Sequence, residues 1–109
     1  LNISTAAAIV LAGLGINVVK HGNRSITSKC GSADVLEKLG VNILDNTKNL
    51  EKKIKKENFI FLFAPNYHLA MKNVANVRKN LPFKTIFNLL GPLINPGLIK
   101  RQIIGIFDN

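Results

Sequence analysis

The sequence predicts an α/β domain built on part of a largely parallel sheet flanked by helices. Three observations carry that expectation. Phe59-Ile60-Phe61-Leu62-Phe63 is a run of five consecutive apolar residues, the pattern of a strand buried on both faces. Ile16 to Val19 is a second short run, mostly β-branched, that also reads as a buried strand. Helical patterns alternate with these runs, as they do when helices cover the faces of a parallel sheet.

Each element has a local reason. Ser4 or Thr5 can cap a helix running through Ala6 to Ala12, and Gly13 and Gly15 can end it. The Ile16-to-Val19 strand follows. Ser32 begins a second helix over Asp34 to Leu39, with an acidic first turn that suits the helix dipole and Gly40 as its stop. Val41 to Leu44 reads as extended. Asn46 to Glu57 reads as a charged surface helix whose Leu50 and Ile54, four apart, turn inward. Ala64-Pro65-Asn66 breaks the chain after the phenylalanine-rich strand, and Leu69 to Val77 reads as a helix with Met71, Val74 and Val77 inward. Thr85 to Leu90 is apolar and ends at Gly91-Pro92. A second stop stands at Asn95-Pro96-Gly97, and Ile103 to Phe107 reads as the last strand. There is no internal repeat and no linker.

Composition narrows the function classes. With 109 residues the chain holds at most one domain, and its 47% apolar share excludes a disordered one. No uninterrupted apolar run approaches the roughly 20 residues that span a bilayer, so no membrane partner is expected. No cationic segment precedes the apolar first fifteen residues, so they do not read as a signal peptide. A single cysteine, Cys30, cannot form an internal disulfide and fits a cytoplasmic, reducing setting. The net charge of +9 raises nucleic-acid binding as a possibility. Two features weigh against it. The lysines are scattered except for Lys52, Lys53, Lys55 and Lys56, which share a surface helix with Glu51 and Glu57. There is also one tyrosine, Tyr67, and no tryptophan to stack on bases. No nucleic-acid partner is expected. The chain opens at Leu1 without a methionine and closes just as a strand gives way to turn residues, so a fragment of a longer protein is expected.

Chemistry concentrates in one stretch. Lys20-His21-Gly22-Asn23-Arg24 is followed by Ser25, Thr27, Ser28, Lys29, Gly31 and Ser32. Such a density of cations, hydroxyls and glycines suits a loop that wraps a phosphate or phosphosugar, whose oxygens accept several hydrogen bonds and favour fixed positive charge. A solvated basic loop would have a similar composition. Asn2-Ile3-Ser4-Thr5 adds two hydroxyls at a helix start, where unpaired N–H groups and the macrodipole favour an anion; a plain cap would look the same. The Ser4 hydroxyl can also enter the oxygen shell of Mg2+. Lys20 can place a point charge on a phosphate, and Asn23 can offer an amide to a polar substrate group. His21 is either a base or a structural histidine, and His68, beside Tyr67, either lines a pocket for a flat aromatic substrate or is structural. Arg78, one of only three arginines in a lysine-rich chain, suits a bidentate grip on a carboxylate. No Ser-His-Asp triad, zinc ligand set, dinucleotide fingerprint or carboxylate pair is recognisable.

Assembled, these motifs resemble the anthranilate phosphoribosyltransferases of the tryptophan pathway. The likeness runs from Asn2-Ile3-Ser4-Thr5 through Lys20-His21-Gly22-Asn23-Arg24 and Gly31-Ser32-Ala33-Asp34-Val35-Leu36-Glu37. It continues over Phe63-Ala64-Pro65, His68, Ala70-Met71-Lys72, Val77-Arg78 and Thr85 to Leu93. The resemblance implies a nucleoside phosphorylase/phosphoribosyltransferase-like fold, of which residues 1–109 are the first half of the large α/β domain. It also implies that the amine of anthranilate attacks C1 of 5-phosphoribosyl diphosphate (PRPP) and expels diphosphate. By that likeness Ser4 helps hold Mg2+. Asn2, Ile3, Ser4, Thr5, Lys20, His21, Gly22, Asn23, Arg24, Ser25, Ile26, Thr27, Ser28 and Ser32 embrace PRPP. Asn23 and Arg78 contact anthranilate, and His68, Gly91 and Pro92 line its path. No side-chain base is obligatory, because an aryl amine is already a neutral nucleophile.

Two positions depart from the family pattern: Leu69, where proline usually follows the histidine, and Cys30, where a small hydroxyl residue is common. The family's helical domain, glycine-rich diphosphate loop and acidic Mg2+ pair are expected outside these residues. The isolated segment is therefore expected to be inactive, and the full-length protein to be a homodimer. The alternative within the same fold is a pyrimidine nucleoside phosphorylase; Arg78 and the Asn88-to-Pro92 segment favour the transferase.

Overall fold

The computed structural model describes residues 2–25, 30–44, 48–68 and 86–105, with the backbone alone for 87–89. Its centre is a parallel pair of strands, β1 (Val18–Gly22) and β2 (Phe59–Phe63), in which Val18 lies opposite Phe59 and Gly22 opposite Phe63. β2 stands where the apolar run predicts it. Phe61 joins Ala33, Leu36 and Ile43 in a buried cluster, with Val41, Phe59 and Phe63 packed against it. Strand alternation puts Ile60 and Leu62 on the opposite face, and they are buried as well. Burial on both faces bears out the reading of a parallel strand.

β1 is displaced from its expected position. It begins at Val18, not Ile16, and runs on through Lys20, His21 and Gly22, residues expected to be loop. The Asn58 carbonyl accepts the Val18 N–H at 2.8 Å, which starts the ladder level with β2. Pairing with a fully buried neighbour outweighs the polar character of Lys-His-Gly, because strand preference depends on context more than on residue type. Ile16 is left half exposed. From the other side Asn95 donates its amide to the Val19 carbonyl at 3.3 Å and accepts the Gly97 N–H at 2.9 Å, docking the Pro96-Gly97 turn on the strand.

The helices follow the expected order with altered ends. α1 (Ile3–Gly13) is capped by Asn2, whose side-chain oxygen accepts the Thr5 N–H at 3.2 Å, and not by Ser4 or Thr5. After Gly13 the chain turns at Gly15, whose φ of +84° a residue with a Cβ rarely adopts. α2 (Ser32–Lys38) and its stop at Gly40 agree with the sequence. α3 (Leu50–Glu57) starts later than expected, with Asn49 accepting the Lys52 N–H at 3.0 Å as its cap. Val41 to Leu44 is not a strand; Ile43 sits in a turn and is held by burial of its side chain in the core. α4 (Ala64–Tyr67) is a single turn at the predicted break, and α5 (Ile86–Leu93) continues through Gly91 and Pro92. Proline near a helix end forfeits only one backbone bond. Of the strand expected over Ile103 to Phe107, Ile103 to Gly105 is exposed and not a strand, since no described strand lies beside it to accept a ladder, and Ile106 and Phe107 lie outside the described residues. The Leu69-to-Val77 helix falls outside the described residues.

The core makes a stability contrast between α2 and its C-cap. Leu36→Ala, at a fully buried site, is expected to cost about 2–5 kcal/mol, while Leu39→Ala, 63% exposed one residue past the helix, should cost under about 1 kcal/mol. Urea denaturation of the two variants beside the parent protein measures both.

Candidate functional site

Parallel strands deliver their C-terminal ends to one edge of the sheet, and helix starts gather there. At this edge β1 leads into Asn23-Arg24-Ser25 and β2 into α4 and His68. Because successive strand residues face opposite sides, Lys20 and His21 diverge. They enter two different clusters.

The Lys20 cluster sits at the start of α1. The Lys20 ammonium donates to the Ser4 hydroxyl at 3.1 Å. Asn2 Oδ1 accepts from Thr5 Oγ1 at 2.6 Å and from Ser4 Oγ at 3.4 Å. Thr5 is buried, an unusual position for a hydroxyl unless it is satisfied, as here. Ile3 is exposed at the first turn. Burial lowers the Lys20 pKa by disfavouring the charged form, so an anion placed beside it would restore that loss. A cation, three neutral oxygens and a helix start thus share one place. No carboxylate contact is found there among the described residues.

The His21 cluster is aromatic. The rings of His21 and His68 meet edge to face with centroids 5.1 Å apart. Burial, and then the neighbouring His68, lower the His21 pKa, opposed by its hydrogen bond to the Gly91 backbone. The Nε2 atoms of both histidines are buried without a hydrogen-bond partner among the described residues. The resemblance placed His21 with PRPP and His68, Gly91 and Pro92 on the anthranilate path. The structure brings His21, His68 and Gly91 together, with Pro92 the next residue of α5.

Between the clusters, the first turn of α2 grips the chain leaving β1. The Asn23 carbonyl accepts the Ala33 N–H at 3.3 Å and the Ser32 hydroxyl at 3.4 Å. The Asn23 side chain accepts its neighbour's N–H, from Arg24, at 2.7 Å. Arg24 turns back to pair with Glu37 at 2.6 Å and lies 5.7 Å from the centre of the Phe63 ring. Asp34 accepts the N–H groups of Ser25 at 3.0 Å and Gly31 at 2.7 Å. These bonds, that from Ser25 foremost, hold its carboxyl below the usual range. Gly22 is tight as well: a Cβ there would run into the Ser32 hydroxyl and come within 3.2 Å of the Phe61 ring. Asp34 and Glu37, quoted in the Gly31-to-Glu37 motif, were given no role at the site from the sequence. An acid at the third position of a helix that starts with glycine was the available signal.

Ile26, Thr27, Ser28 and Arg78 lie outside the described residues. Every other residue expected at the site is at this edge or in the elements that form it. A cavity of about 320 Å³ lined by Val41, Leu50, Phe59 and Phe61 holds none of them.

The whole chain, residues 1–109, matches the model of the glycosyl transferase family, a/b domain. The chain belongs to this family. Within it, the anthranilate phosphoribosyltransferase of Pelagibacter ubique is 56% identical over 108 residues, which are 99% of this chain and 33% of that protein. That of Chlorobaculum parvum is 59% identical over 98% of this chain and 30% of its own length. Among solved structures, anthranilate phosphoribosyltransferase from Thermus thermophilus matches with a TM-score of 0.77 and 50% identity, covering 87% of this chain and 29% of that one. The Saccharomyces cerevisiae enzyme in complex with PRPP and Mg matches with a TM-score of 0.78 and 40% identity, over 87% of this chain and 27% of that one. The resemblance stated from the motifs is borne out, as is the α/β fold. The chain spans about a third of the length of the curated relatives it matches. No described helix is long and apolar enough to cross a membrane.

The His21 environment makes stability depend on pH. Its folded pKa lies below the ordinary 6.5, so unfolding takes up a proton in the interval between the two values. Stability should be fully present above 6.5 and fall as pH drops from there to the folded value. Denaturant titrations from about pH 8 to about pH 5 should show this fall, and His21→Gln should flatten it. An unchanged slope in the variant would assign the effect elsewhere.

Proposed function

We propose that this chain is the PRPP-binding part of an anthranilate phosphoribosyltransferase. The complete protein would transfer the phosphoribosyl group of PRPP to the amine of anthranilate, giving N-(5-phosphoribosyl)anthranilate and diphosphate in tryptophan biosynthesis. The observation that carries this reading is the pairing of two unlike clusters at one sheet edge. One is cationic and rich in hydroxyls, the other flat and aromatic, and relatives of that name are 56% and 59% identical to the chain over the third of their length that it covers.

In this reading Lys20 and the first-turn N–H groups of α1 take the negative charge of PRPP. Charge placed in advance at that point favours the transition state, in which the C1–O bond breaks and electrons collect on the departing diphosphate. The Ser4 hydroxyl offers a hard neutral oxygen of the kind Mg2+ accepts, with the ion's charge partners supplied by the diphosphate, while Asn2 and Thr5 stand on the PRPP side of the same helix start. Mg2+ bound with PRPP would neutralise that group. Asn23, Ser25 and Ser32 flank the phosphosugar, and Ile26, Thr27 and Ser28 are assigned to the same contact. Anthranilate enters along His68, Gly91 and Pro92 and is contacted by Asn23 and Arg78, whose guanidinium suits its carboxylate; His21, assigned to PRPP, packs on His68 between the two substrates. A polar substrate group there would find the two unpaired imidazole nitrogens. Its amine attacks C1 as a neutral nucleophile, and the C–N bond forms as the amine proton is lost to solvent or diphosphate. Positioning therefore accounts for most of the rate. Homodimerisation and a cytoplasmic setting belong to the same proposal.

The test follows anthranilate fluorescence with the complete protein. Loss of signal that requires both PRPP and Mg2+ supports the transferase; phosphorolysis of thymidine or uridine instead would move the assignment to a nucleoside phosphorylase. Lys20→Met should raise the KM for PRPP by about tenfold or more, the order of a lost charged hydrogen bond. Arg78→Ala should raise the KM for anthranilate far more than that for PRPP; equal rises would make Arg78 structural.

A further inference from the structure

We infer that Asp34 is a positioning residue that clasps the two ends of the segment after β1, fixing Asn23 and Ser25 for the phosphosugar; this rests on the function proposed above. A single carboxylate oxygen, Oδ2, accepts the N–H groups of both Ser25 and Gly31, residues six apart in the chain. Asp34 therefore holds Ser25 against Gly31 at the first turn of α2.

The fit is close enough to exclude a side chain. A Cβ on Gly31 would run into the Ser25 nitrogen, and it would lie 2.8 Å from the Arg24 carbonyl carbon and 2.9 Å from Asp34 Oδ2. Glycine at 31 is what lets the ends meet. Asp34 belongs to the first turn of α2, and two neighbours on that turn, Ser32 and Ala33, hold the Asn23 carbonyl. The backbone on either side of Arg24 is therefore tied to one helical turn, while the Arg24 side chain is drawn aside to Glu37.

The charge of Asp34 also needs an account. A carboxylate beside a site for phosphate is unfavourable by simple repulsion. Here it is turned onto two backbone donors, where a charged acceptor makes a stronger hydrogen bond than a neutral one. Its contribution reaches the ligand through the backbone.

The experiment compares the complete protein with its Asp34→Ala and Asp34→Asn variants. It measures steady-state constants for PRPP and anthranilate, thermal midpoints, and hydrogen exchange at the Ser25 and Gly31 amides. Asp34→Ala is expected to raise the KM for PRPP about tenfold and to abolish protection at both amides. Asp34→Asn keeps an acceptor at the same place and should recover most of the KM and part of the protection. If Asp34→Ala does not fold, a KM for PRPP about two- to fivefold above the parent in Asp34→Asn, with weakened protection, carries the same conclusion. A lowered thermal midpoint with an unchanged KM would overturn the inference, and so would parent-like protection in either variant. If the parent protein fails to consume anthranilate, the functional reading fails by itself. The amide protection and its loss still decide the clasp.

Discussion

The parallel register of β1 and β2 is the constraint on which the site depends. Gly22 opposite Phe63 brings the exits of both strands to one edge, so Asn23 to Ser25 and Ala64 to His68 emerge side by side although forty residues separate them in sequence. Shifting the pairing by one residue would send Lys20 toward the side now held by His21 and dissolve both clusters. The register is secured from both directions: by the phenylalanine face packed on α2, and by Asn95 on the Val19 carbonyl.

The price of this arrangement is polar burial. Lys20 is partly desolvated, and two imidazole nitrogens are buried without partners among the described residues. Each unpaired buried nitrogen costs about 1–3 kcal/mol, and a core of ordinary apolar residues would avoid that cost. Such a cost is intelligible where a ligand completes the hydrogen bonds. The Lys20 cluster calls for an anion and the histidine cluster for a flat molecule with polar edges.

Legibility in the sequence varied with the source of each structural preference. The Phe59–Phe63 strand and α2 were readable because their signals are local: five apolar residues in a row, and a helix closed by Gly40. β1 was misplaced because Lys20-His21-Gly22 has no local preference for extension and acquires it from β2. Ile43 was expected in a strand, but its apolar character serves the core from a turn. Asn2 displaced Ser4 and Thr5 as the cap because all three side chains are capable of capping, and only packing decides which backbone position stays outside the helix. At the site, the chemical types were legible and the partners were not. Lys20 with Ser4, His21 with His68, and Asp34 with Ser25 and Gly31 are all pairings across the fold or around a loop.

By itself the sequence determined the kind of chemistry available: cations and hydroxyls for an anion, an aromatic neighbourhood around His68, and an apolar strand strong enough to found a sheet. Composition and short-range pattern suffice for this, because residue type sets charge and hydrogen-bonding capacity before any folding occurs. The tertiary structure alone decided which residues act together. Alternation along β1 sent Lys20 to the start of α1 and His21 to His68 and Gly91, and the first turn of α2 closed on Ser25 and Gly31. Those assignments depend on register and on close approach of distant backbone, which are properties of the packed chain and are absent from any short stretch of it.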